Sequence, residues 1–243
     1  MIDLHSHILP GQDDGAQSLE ASLAMARMAV DSGVTAMAAT PHCAGDRIVE
    51  IHAAWQLLKE ALEENEIPMK LCLGMEIFGT PETARMLREN RLLTLNDSKY
   101  PLIEFSFHSD GMEETRILRS VCKAGYRPVV AHPERYSYVQ QDPRLLHQWV
   151  RMGCLIQVNR GSLLGRFGRR AQSLGFALVD RGFATVVASD AHSPRIRTPW
   201  MADVEQLLSK EISPLCARML LRDNPRKILK NEEIHSAEPE WFE

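Results

Sequence analysis

Imidazole and carboxylate side chains recur along this sequence at the ends of short apolar, strand-like runs. The pattern starts at the N-terminus, where His5 and His7 follow a run that opens with Ile2. Imidazole nitrogens and carboxylate oxygens together are ligands that Mn, Zn and Fe take in proteins. The repeated placement therefore predicts a multinuclear metal site at one mouth of a barrel. The side chains at these run ends are His5, His7, His42, Glu76, Glu104, His132, Asp190 and His192.

Each of these residues taken alone has a more ordinary interpretation. Histidines spaced like His5 and His7 point to the same side of an extended segment and could hold one metal, or they could be polar residues of a loop. Asp14 belongs to an Asp-Asp-Gly segment, where it is a typical turn residue. Glu76 and Glu104 differ, because a carboxylate at the end of an apolar strand is costly to bury without a cation. The metal-site interpretation gains weight as the members accumulate.

The elements that must position these side chains alternate between strand-like and helical patterns, which favours a parallel sheet. The first helical pattern has Ser18 as a plausible N-cap and Gly33 as its stop. Ligands at the carboxyl ends of successive strands favour a closed barrel, because barrel sites form at that face. An open doubly wound sheet is the alternative and would gather its site at one switch point. The predicted strands are 2–5, 34–39, 69–75, 102–107, 128–131, 154–158 and 184–189, and the predicted helices are 19–30, one around 55–62, 82–89, 112–124, 143–152, 164–181 and 200–209.

Bulk properties limit the class of protein. With 243 residues and 44% apolar composition, the chain is long enough for a single α/β domain over 1–243. The tail from about residue 232 is acidic, and we expect it to fray unless Trp241 and Phe242 pack against the domain. A net charge of −4 provides no general basic field for nucleic acid. No apolar run approaches the roughly 20 residues of a membrane span and no signal peptide is recognisable, so we expect a cytoplasmic protein. Five cysteines without a CxxC pair are interpreted as reduced, mostly core-filling thiols.

Several longer motifs carry a resemblance to a known family. They are MIDLHSHILPGQDDGA, ATPH, GMEIF, IEFS, AHPERY, QVNRGSLLG and SDAH, with DNPRKIL near the end, and they run in order from residue 1 to about 229. On these motifs the chain resembles the polymerase-and-histidinol-phosphatase (PHP) superfamily, and within it the bacterial manganese-dependent protein-tyrosine phosphatases of capsule and exopolysaccharide loci. The resemblance implies an α/β fold, a distorted seven-stranded (βα)7 TIM-like barrel with the metal site at the C-terminal strand ends.

The resemblance also implies three divalent metal ions, manganese in the first place and iron or zinc otherwise, with Glu76 bridging two of them. Arg135 and Arg197 match the family's two phosphate-binding arginines, and Arg195 is a rival for Arg197. At Arg160 the family pattern leads us to expect a small residue; the arginine either adds positive charge at the mouth or pairs with a surface carboxylate. The first metal would be held by His5, His7, Glu76 and Asp190, the second by Glu76, Glu104 and His132, and the third by Asp14, His42 and His192.

Two Cys-x5-Arg spacings raise the rival chemistry of thiol-dependent tyrosine phosphatases, in which a Gly-rich loop cradles the phosphate. Cys154 to Arg160 spans an apolar strand without glycine, and Cys216 to Arg222 lies in a helical pattern. We therefore interpret both spacings as coincidences. The remaining histidines are His52, His147 and His235, interpreted as ordinary surface residues, and His108, which follows the fourth strand and could line the mouth.

The function that follows is phosphomonoester hydrolysis by a metal-activated hydroxide, with Arg135 and Arg197 neutralising the phosphoryl oxygens. By resemblance, the substrate would be phosphotyrosine in a protein, in particular a bacterial tyrosine kinase that regulates polysaccharide export. The alternatives keep the site and change the substrate to histidinol phosphate, another small phosphomonoester or a nucleic-acid end, although the acidic balance argues against the last. A second hypothesis is a metal-dependent amidohydrolase, but such enzymes commonly have a carboxylated lysine at the fourth strand, where this chain has Glu104. A third is a non-enzymatic metal-binding regulator, but such a protein would be expected to have lost some of the ligands.

Overall fold

The computed structural model describes residues 1–43, 47–235 and 239–242. Within these ranges, no helix is both long and apolar enough to cross a membrane. The strands are β1 (Ile2–Asp3), β2 (Ala36–Ala39), β3 (His42–Cys43), β4 (Lys70–Leu73), β5 (Glu76–Phe78), β6 (Leu102–Glu104), β7 (Val129–Val130), β8 (Leu155–Asn159) and β9 (Ala184–Ala188). The α-helices are α1 (Leu19–Asp31), α2 (Ile48–Glu64), α3 (Thr83–Arg88), α4 (Met112–Lys123), α5 (Ser137–Gln141), α6 (Leu145–Arg151), α7 (Arg160–Leu163), α8 (Arg169–Asp180), α9 (Ala202–Glu211), α10 (Pro214–Arg218) and α11 (Asn224–Leu229), with a π-helical segment Met219–Asp223 between the last two.

All strand pairs are parallel, and they divide between two sheets. The first sheet has the order β1-β2-β4 and the second the order β3-β5-β6-β7-β8-β9. The predicted runs 34–39 and 69–75 correspond to β2 and β4 of the first sheet, whereas β3 and β5 of the second sheet lie beyond the ends of those runs. The predicted α/β fold with parallel strands is confirmed. The strand count differs from the prediction, because β3 and β5 are two short segments that the sequence did not predict.

The two sheets are connected on both sides, by a β-bridge on one side and by the chain itself on the other. Ser6 pairs with Ala191 in an isolated parallel bridge beyond the ends of β1 and β9. On the other side, the chain passes from β2 to β3 and from β4 to β5, that is, from the first sheet to the second. Near this passage the Gly74 N–H donates to the Ala39 carbonyl over 2.9 Å, which extends the pairing of β2 and β4. The strand ends of one sheet therefore continue directly into the strand ends of the other.

The first helix begins and ends where the sequence predicts. The Ser18 hydroxyl accepts a hydrogen bond from the Ala21 N–H at 3.3 Å, which satisfies one of the free donors of the first turn. Helix α1 ends at Asp31, and Gly33 follows with a φ of 91°. A residue without Cβ adopts this left-handed conformation at little cost, which makes glycine an effective helix stop.

The predicted helix 164–181 is wrong in its first part. The chain forms the short helix α7 directly after β8, turns over residues 164–168, and enters α8 only at Arg169. Gly165 and Gly168 have φ values of 74° and 88°, and such left-handed residues end a right-handed helix. The turn contains Phe167, whose ring centroid lies 4.2 Å from the guanidinium of Arg135.

The buried apolar residues form two clusters on opposite faces of the strands. Along β8, Leu155 belongs to the smaller cluster, whereas Ile156 and Val158 belong to the larger one that packs against the helices. This alternation is the period of two that strand geometry imposes. The smaller cluster takes one or two residues from most of the strands and further residues from outside them: Leu4, Ala38, Cys72, Leu95, Tyr100, Leu102, Val129, Ala131, Leu155, Val186, Ile228, Leu229 and Ile234.

The described end of the acidic tail docks on the body of the protein. Trp241 and Phe242 lie against His147, with ring centroids 4.8 Å and 6.0 Å from the imidazole, and the Phe242 N–H donates to His147 Nε2 at 3.0 Å. Burial, followed by the charge of Arg151, lowers the pKa of His147, which favours this acceptor role. The prediction that His147 is an ordinary surface residue is therefore wrong, whereas His52 and His235 are exposed as expected.

Candidate metal centre

The parallel strands bring all nine predicted ligand residues to one face of the protein. His5 and His7 follow β1, His42 opens β3, Glu76 opens β5 and Glu104 closes β6. The carboxyl ends of parallel strands meet at the same edge, so residues distant in sequence become neighbours. The remaining members are His132 after β7, Asp190 and His192 after β9, and Asp14 in the loop before α1.

The most buried group consists of His5, His7, Glu76 and Asp190, as the resemblance implies for the first metal. The Nε2 atoms of His5 and His7 lie 3.3 Å apart, and Glu76 Oε2 lies 3.0 Å and 3.1 Å from them. Asp190 Oδ1 is 3.5 Å from each of the same two nitrogens. All four side chains are 1% exposed or less. Four ligand atoms thus face one small enclosed space.

The second group differs from the expected partition. His42 Nδ1 lies 3.3 Å from Glu76 Oε2 and 3.0 Å from Glu104 Oε1, which makes His42 the imidazole of this group. His132 Nε2 instead approaches the other oxygen of Glu76, Oε1, at 3.0 Å. Glu76 therefore contacts imidazoles through both carboxylate oxygens, as a bridging ligand would.

The third group joins Asp14, His42 and His192, as expected, and adds His7. Asp14 Oδ1 lies 3.9 Å from His42 Nε2 and 3.5 Å from His192 Nε2. In each of the three groups the potential ligand atoms lie within 4.8 Å of one another. The Asp14 side chain is 66% exposed, so this group faces the solvent.

Three of the imidazoles are oriented by an acceptor at Nδ1, so that Nε2 faces the centre. His5 Nδ1 donates to Gln157 Oε1 at 3.0 Å, and His7 Nδ1 donates to Asp13 Oδ2 at 2.7 Å. His192 Nδ1 donates to the backbone carbonyl of Asp190 at 3.0 Å. When such an imidazole is neutral, the proton stays on Nδ1 and Nε2 has the lone pair that a metal needs.

The charges of the buried groups attract each other strongly enough to outweigh burial. Burial raises the pKa of Glu76, but the charge of His5 and a hydrogen bond from His132 hold it well below its ordinary value. Burial likewise raises the pKa of Asp190, and the charge of His5 together with the His7 imidazole 3.5 Å away brings it well below its ordinary value. Both carboxylates are therefore ionised at neutral pH and make the pocket attractive to cations.

His192 is the exception among the imidazoles. Burial, then the positive charges of His7 and Arg197, lower the pKa of His192 to about 4. The imidazole is therefore neutral at physiological pH, and its Nε2 accepts a hydrogen bond from Arg197 Nη1 at 2.9 Å. A neutral imidazole is the form in which histidine binds metals.

The residues present fit a divalent first-row metal. Asp190 Oδ1 and His132 Nδ1 are buried without a hydrogen-bond partner among the described residues. A buried polar atom left unpaired is costly, so its persistence calls for a further partner at that place. Oxygen and nitrogen donors of this mixed kind suit Mn, Fe and Zn.

Both predicted phosphate-binding arginines reach the centre at Asp190. Arg135 Nη1 donates to Asp190 Oδ2 at 3.3 Å, and Arg197 Nη2 forms an ion pair with the same oxygen. The Arg135 guanidinium lies between two rings, 4.7 Å from the centroid of Phe107 and 4.2 Å from that of Phe167. The ring faces attract the cation and restrict its movement.

The rival Arg195 is exposed on the surface, and the structure favours Arg197 at this position. Arg160 pairs with a carboxylate, which is the second of the two expected alternatives, but it is buried and not at the open mouth. Its Nε donates to Asp203 Oδ1 at 2.7 Å and its Nη2 donates to Oδ2 at 2.5 Å. Its exposure is only 2%.

Three residues of the site adopt a backbone conformation that is unfavourable for residues with a Cβ. The φ values of His132, Asp190 and Arg197 are 35°, 52° and 53°. The left-handed region costs about 1–2 kcal/mol per L-residue, and strained residues of this kind cluster at functional sites. The conformation turns each side chain towards the centre at the point where a strand has just ended or a loop reverses.

Sequence reasoning missed the polar residues behind the ligands. Gln157 Oε1 accepts from His5, Gln157 Nε2 donates to Asn159 Oδ1 at 2.7 Å, and Asn159 Nδ2 donates to Asp190 Oδ2 at 2.6 Å. Asp13, interpreted from the sequence as part of a turn, accepts from His7. The signal was present in β8, where two amides occupy alternate positions of a strand that is otherwise apolar and buried on both faces.

Cys154 and Cys216, the thiols of the two Cys-x5-Arg spacings, lie away from this centre. Cys154, at the opposite end of β8 from Asn159, has its Sγ 3.8 Å from that of Cys122, and Cys216 lies in α10. Neither Cys-x5-Arg segment forms a phosphate-binding loop, which confirms that both spacings are coincidental. Cys72 and Cys154 are buried, whereas the side chain of Cys43 lies outside the described residues.

His108 lines the open cleft, as the sequence allowed. It is exposed, and its Nδ1 lies 3.2 Å from Ser137 Oγ. Tyr136 serves packing instead: its buried hydroxyl donates to the Ala131 carbonyl at 2.7 Å and accepts from the Phe105 N–H at 3.0 Å. It therefore fixes the strand ends that carry Glu104 and His132.

Comparison with known proteins agrees with this geometry. The chain is 36% identical over 245 residues to the tyrosine-protein phosphatase YwqE of Bacillus subtilis, covering 99% of this chain and 96% of that protein. YwqE and CpsB of Streptococcus pneumoniae have been described as unique metal-dependent tyrosine phosphatases on the basis of crystal structures. One of these structures superposes on this chain with a TM-score of 0.94 at 35% identity, and the superposition covers 100% of both chains. The lactonase Lmo2620 of Listeria monocytogenes superposes with a TM-score of 0.58 at 14% identity, covering 96% of this chain and 95% of that one, and shares the fold alone.

The family description that matches is "Capsular polysaccharide synthesis, CpsB/CapC", and the match extends over residues 1–230. This range contains every residue of the three ligand groups and both arginines at Asp190. The chain therefore belongs to the CpsB/CapC family of capsular polysaccharide synthesis proteins.

Proposed function

We propose that this chain is a metal-dependent protein-tyrosine phosphatase of capsular polysaccharide synthesis. The observation that carries the proposal is one cleft, about 410 Å³ in volume, in which Glu76, Glu104, Arg135 and Arg197 converge. Carboxylates and imidazoles bind metal ions, whereas guanidinium groups have donors only and bind anions. A phosphate ester is a substrate that uses both kinds of group at once.

The three ligand groups support three metal ions, with manganese as the native metal. Glu76 belongs to two groups and is the bridging ligand, while Asp14 and His192 close the group nearest the solvent. When bound, divalent metals make water nucleophilic near neutral pH and offset the charge of the phosphoryl group. The chain itself fixes the ligands, with Gln157 and Asp13 holding two imidazoles in the required tautomer.

The two arginines bind and orient the phosphoryl oxygens. Arg135 is held between the rings of Phe107 and Phe167, and Arg197 is held at Asp190. Donors that are already in place need no reorganisation when charge builds up on the phosphoryl oxygens, which is the main source of electrostatic rate enhancement.

The surroundings of the cleft support an aromatic leaving group on a peptide. A second cavity of about 550 Å³ has Ile77, Met86 and Leu92 in its lining and shares Phe78 and Glu104 with the cleft. Phe78 is 53% exposed, so an apolar ring is available at the rim. A tyrosine phenolate with a pKa of about 10 leaves without a strong general acid.

The fold proposed for this activity is a distorted seven-stranded barrel formed by a single domain over residues 1–243. The bonds between Ser6 and Ala191 and between Gly74 and Ala39 support continuity around the strands. The enclosed apolar cluster, to which Leu155 and Val186 belong, supports a filled barrel interior. The metal centre then lies at the C-terminal mouth.

The cellular substrate in this proposal is the phosphorylated tyrosine segment of a bacterial tyrosine kinase. This proposal is tested with three substrates: a phosphotyrosine peptide, histidinol phosphate and an oligonucleotide phosphorylated at its 3′ end. The release of phosphate from each is measured in the presence of a chelator and after addition of Mn, Fe or Zn. We expect Mn-dependent release of phosphate from the peptide at a rate well above that from the other two substrates. A preference for histidinol phosphate would instead support the small-molecule alternative, and no Mn-dependent turnover of any substrate would refute the proposal.

A further inference from the structure

Arg160 is a buried cation that the ligand groups and the phosphate-binding pair do not use. It is the first residue of α7 and follows Asn159, whose side chain holds Asp190. Its guanidinium forms two parallel hydrogen bonds with Asp203, in the first turn of α9, at 2.7 Å and 2.5 Å. A buried guanidinium is costly unless it is fully paired, so this arrangement fixes a geometry more than it adds stability.

The third guanidinium nitrogen of Arg160 reaches the loop that carries Arg197. Arg160 Nη1 donates to the backbone carbonyl of Thr198 at 3.0 Å. Thr198 directly follows Arg197, which has the unfavourable φ of 53°. Next to Arg197, the loop is also held by a local bond, from the His192 N–H to the Arg197 carbonyl at 2.8 Å. Arg160 therefore ties the loop to both β8 and α9.

We infer that Arg160 is a positioning residue for phosphate binding, which acts by holding Thr198 against α9 so that the Arg197 guanidinium stays at Asp190. The inference rests on the proposed role of Arg197. Asp203 is the partner through which Arg160 is attached to α9. Its Oδ1 also accepts from the Val204 N–H at 2.7 Å and so fixes the start of that helix. Among the described residues, the polar contacts of the Arg160 side chain are with Asp203 and Thr198, and neither is a predicted metal ligand.

The chemistry of the side chain explains why arginine is required. A lysine has a single ammonium group and cannot bond both oxygens of Asp203 and the Thr198 carbonyl in one plane. Arg160→Lys should therefore keep the positive charge but lose some of the hydrogen bonds to Asp203 and Thr198, whereas Arg160→Met loses the charge and all of these bonds. A shift of about 1 Å in a positioned group costs on the order of 100-fold in rate.

The test measures kcat, KM, the inhibition constant of inorganic phosphate, metal content and melting temperature with p-nitrophenyl phosphate as substrate. We expect Arg160→Met to raise the phosphate inhibition constant about tenfold or more, in the range that a misplaced group produces, with metal content unchanged. Arg160→Lys and Asp203→Asn should lie between Arg160→Met and the unaltered protein. The matched control is Arg166→Met, an exposed arginine six positions along, which should behave like the unaltered protein.

The double variant decides between positioning and general support of the fold. If Arg160 acts through Arg197, Arg160→Met should change the phosphate inhibition constant by less than about twofold in an Arg197→Ala background, because coupled residues are not additive. An undiminished effect in that background would overturn the inference, as would an Arg160→Lys protein with normal phosphate inhibition. If Arg197→Ala itself left phosphate inhibition unchanged, the proposed role of Arg197 would fail first, and the inference with it.

Discussion

Glu76 is the residue whose loss should damage the centre most. Its Oε2 lies within 3.3 Å of imidazole nitrogens of His5, His7 and His42, and its Oε1 lies 3.0 Å from that of His132. Glu76→Gln keeps the shape of the side chain and removes its charge. Because two ligand groups share this carboxylate, we expect the variant to lose more than one metal ion per chain.

The size of the effect follows from the spacing of the ligands. Two unit charges about 4 Å apart attract each other by about 4 kcal/mol at an effective dielectric constant of about 20, and a divalent ion at least doubles this. Even the lower figure weakens metal affinity about a thousandfold, since about 1.4 kcal/mol corresponds to a factor of ten. Asp14→Asn should cost much less and affect a single ion, because Asp14 is 66% exposed and its charge is screened by solvent.

The measurement is elemental analysis after loading with excess Mn and removal of free metal, together with the rate on p-nitrophenyl phosphate. Glu89→Gln, an exposed carboxylate distant from the centre, controls for the change of net charge. A Glu76→Gln protein that retains the metal content of the unaltered protein, or loses no more than Asp14→Asn does, would show that Glu76 does not bridge.

Three further predictions address the chemistry, the arginines and the residues behind the ligands. A chelator should abolish activity and Mn should restore it, whereas Cys154→Ser and thiol alkylation should leave the rate intact; the reverse result would mean a thiol-dependent enzyme. Arg197→Ala should lower kcat/KM by about 100-fold or more at normal metal content, measured by enzyme kinetics and elemental analysis. Arg195→Ala should have a far smaller effect, and equal effects of the two variants would mean that the wrong arginine was chosen. Gln157→Leu removes the acceptor of His5 and should weaken metal affinity about 10- to 100-fold, measured by competition with a chelating dye, with unchanged affinity as the contrary outcome.

The sequence was sufficient to predict which residues meet, because parallel strands impose a simple rule. A carboxylate at the end of β6 must lie at the same edge as a histidine or carboxylate after β7 or β9. Division of the residues among the metals was less predictable. His42 belongs to two groups because its two nitrogens face different carboxylates, and this depends on a side-chain rotation of which the sequence holds no trace.

The positions where the strands and helices break were harder to predict than their existence. Pro41 has no N–H to donate, and Gly74 lies where a Cβ would come within 3.0 Å of Leu95, so both mark places where a regular strand gives way. The break after α7 depended on Gly165 and Gly168, which a helical pattern of apolar residues conceals. In each case a backbone requirement overrode a side-chain pattern.

Asp190 connects the two halves of the site, and its two oxygens have different partners. Oδ2 accepts from Asn159 and from both Arg135 and Arg197, whereas Oδ1 faces the Nε2 atoms of His5 and His7 at 3.5 Å without a hydrogen-bond donor among the described residues. One carboxylate thus contributes to a ligand group with one oxygen and holds the phosphate-binding guanidinium groups with the other. Because the carboxylate is rigid and its φ of 52° is fixed by the turn after β9, the distance between ligand group and arginines is set by a single residue. A phosphoryl group that spans the two must therefore fit a gap defined at Asp190, and a longer side chain at this position would change that gap even if it bound metal equally well.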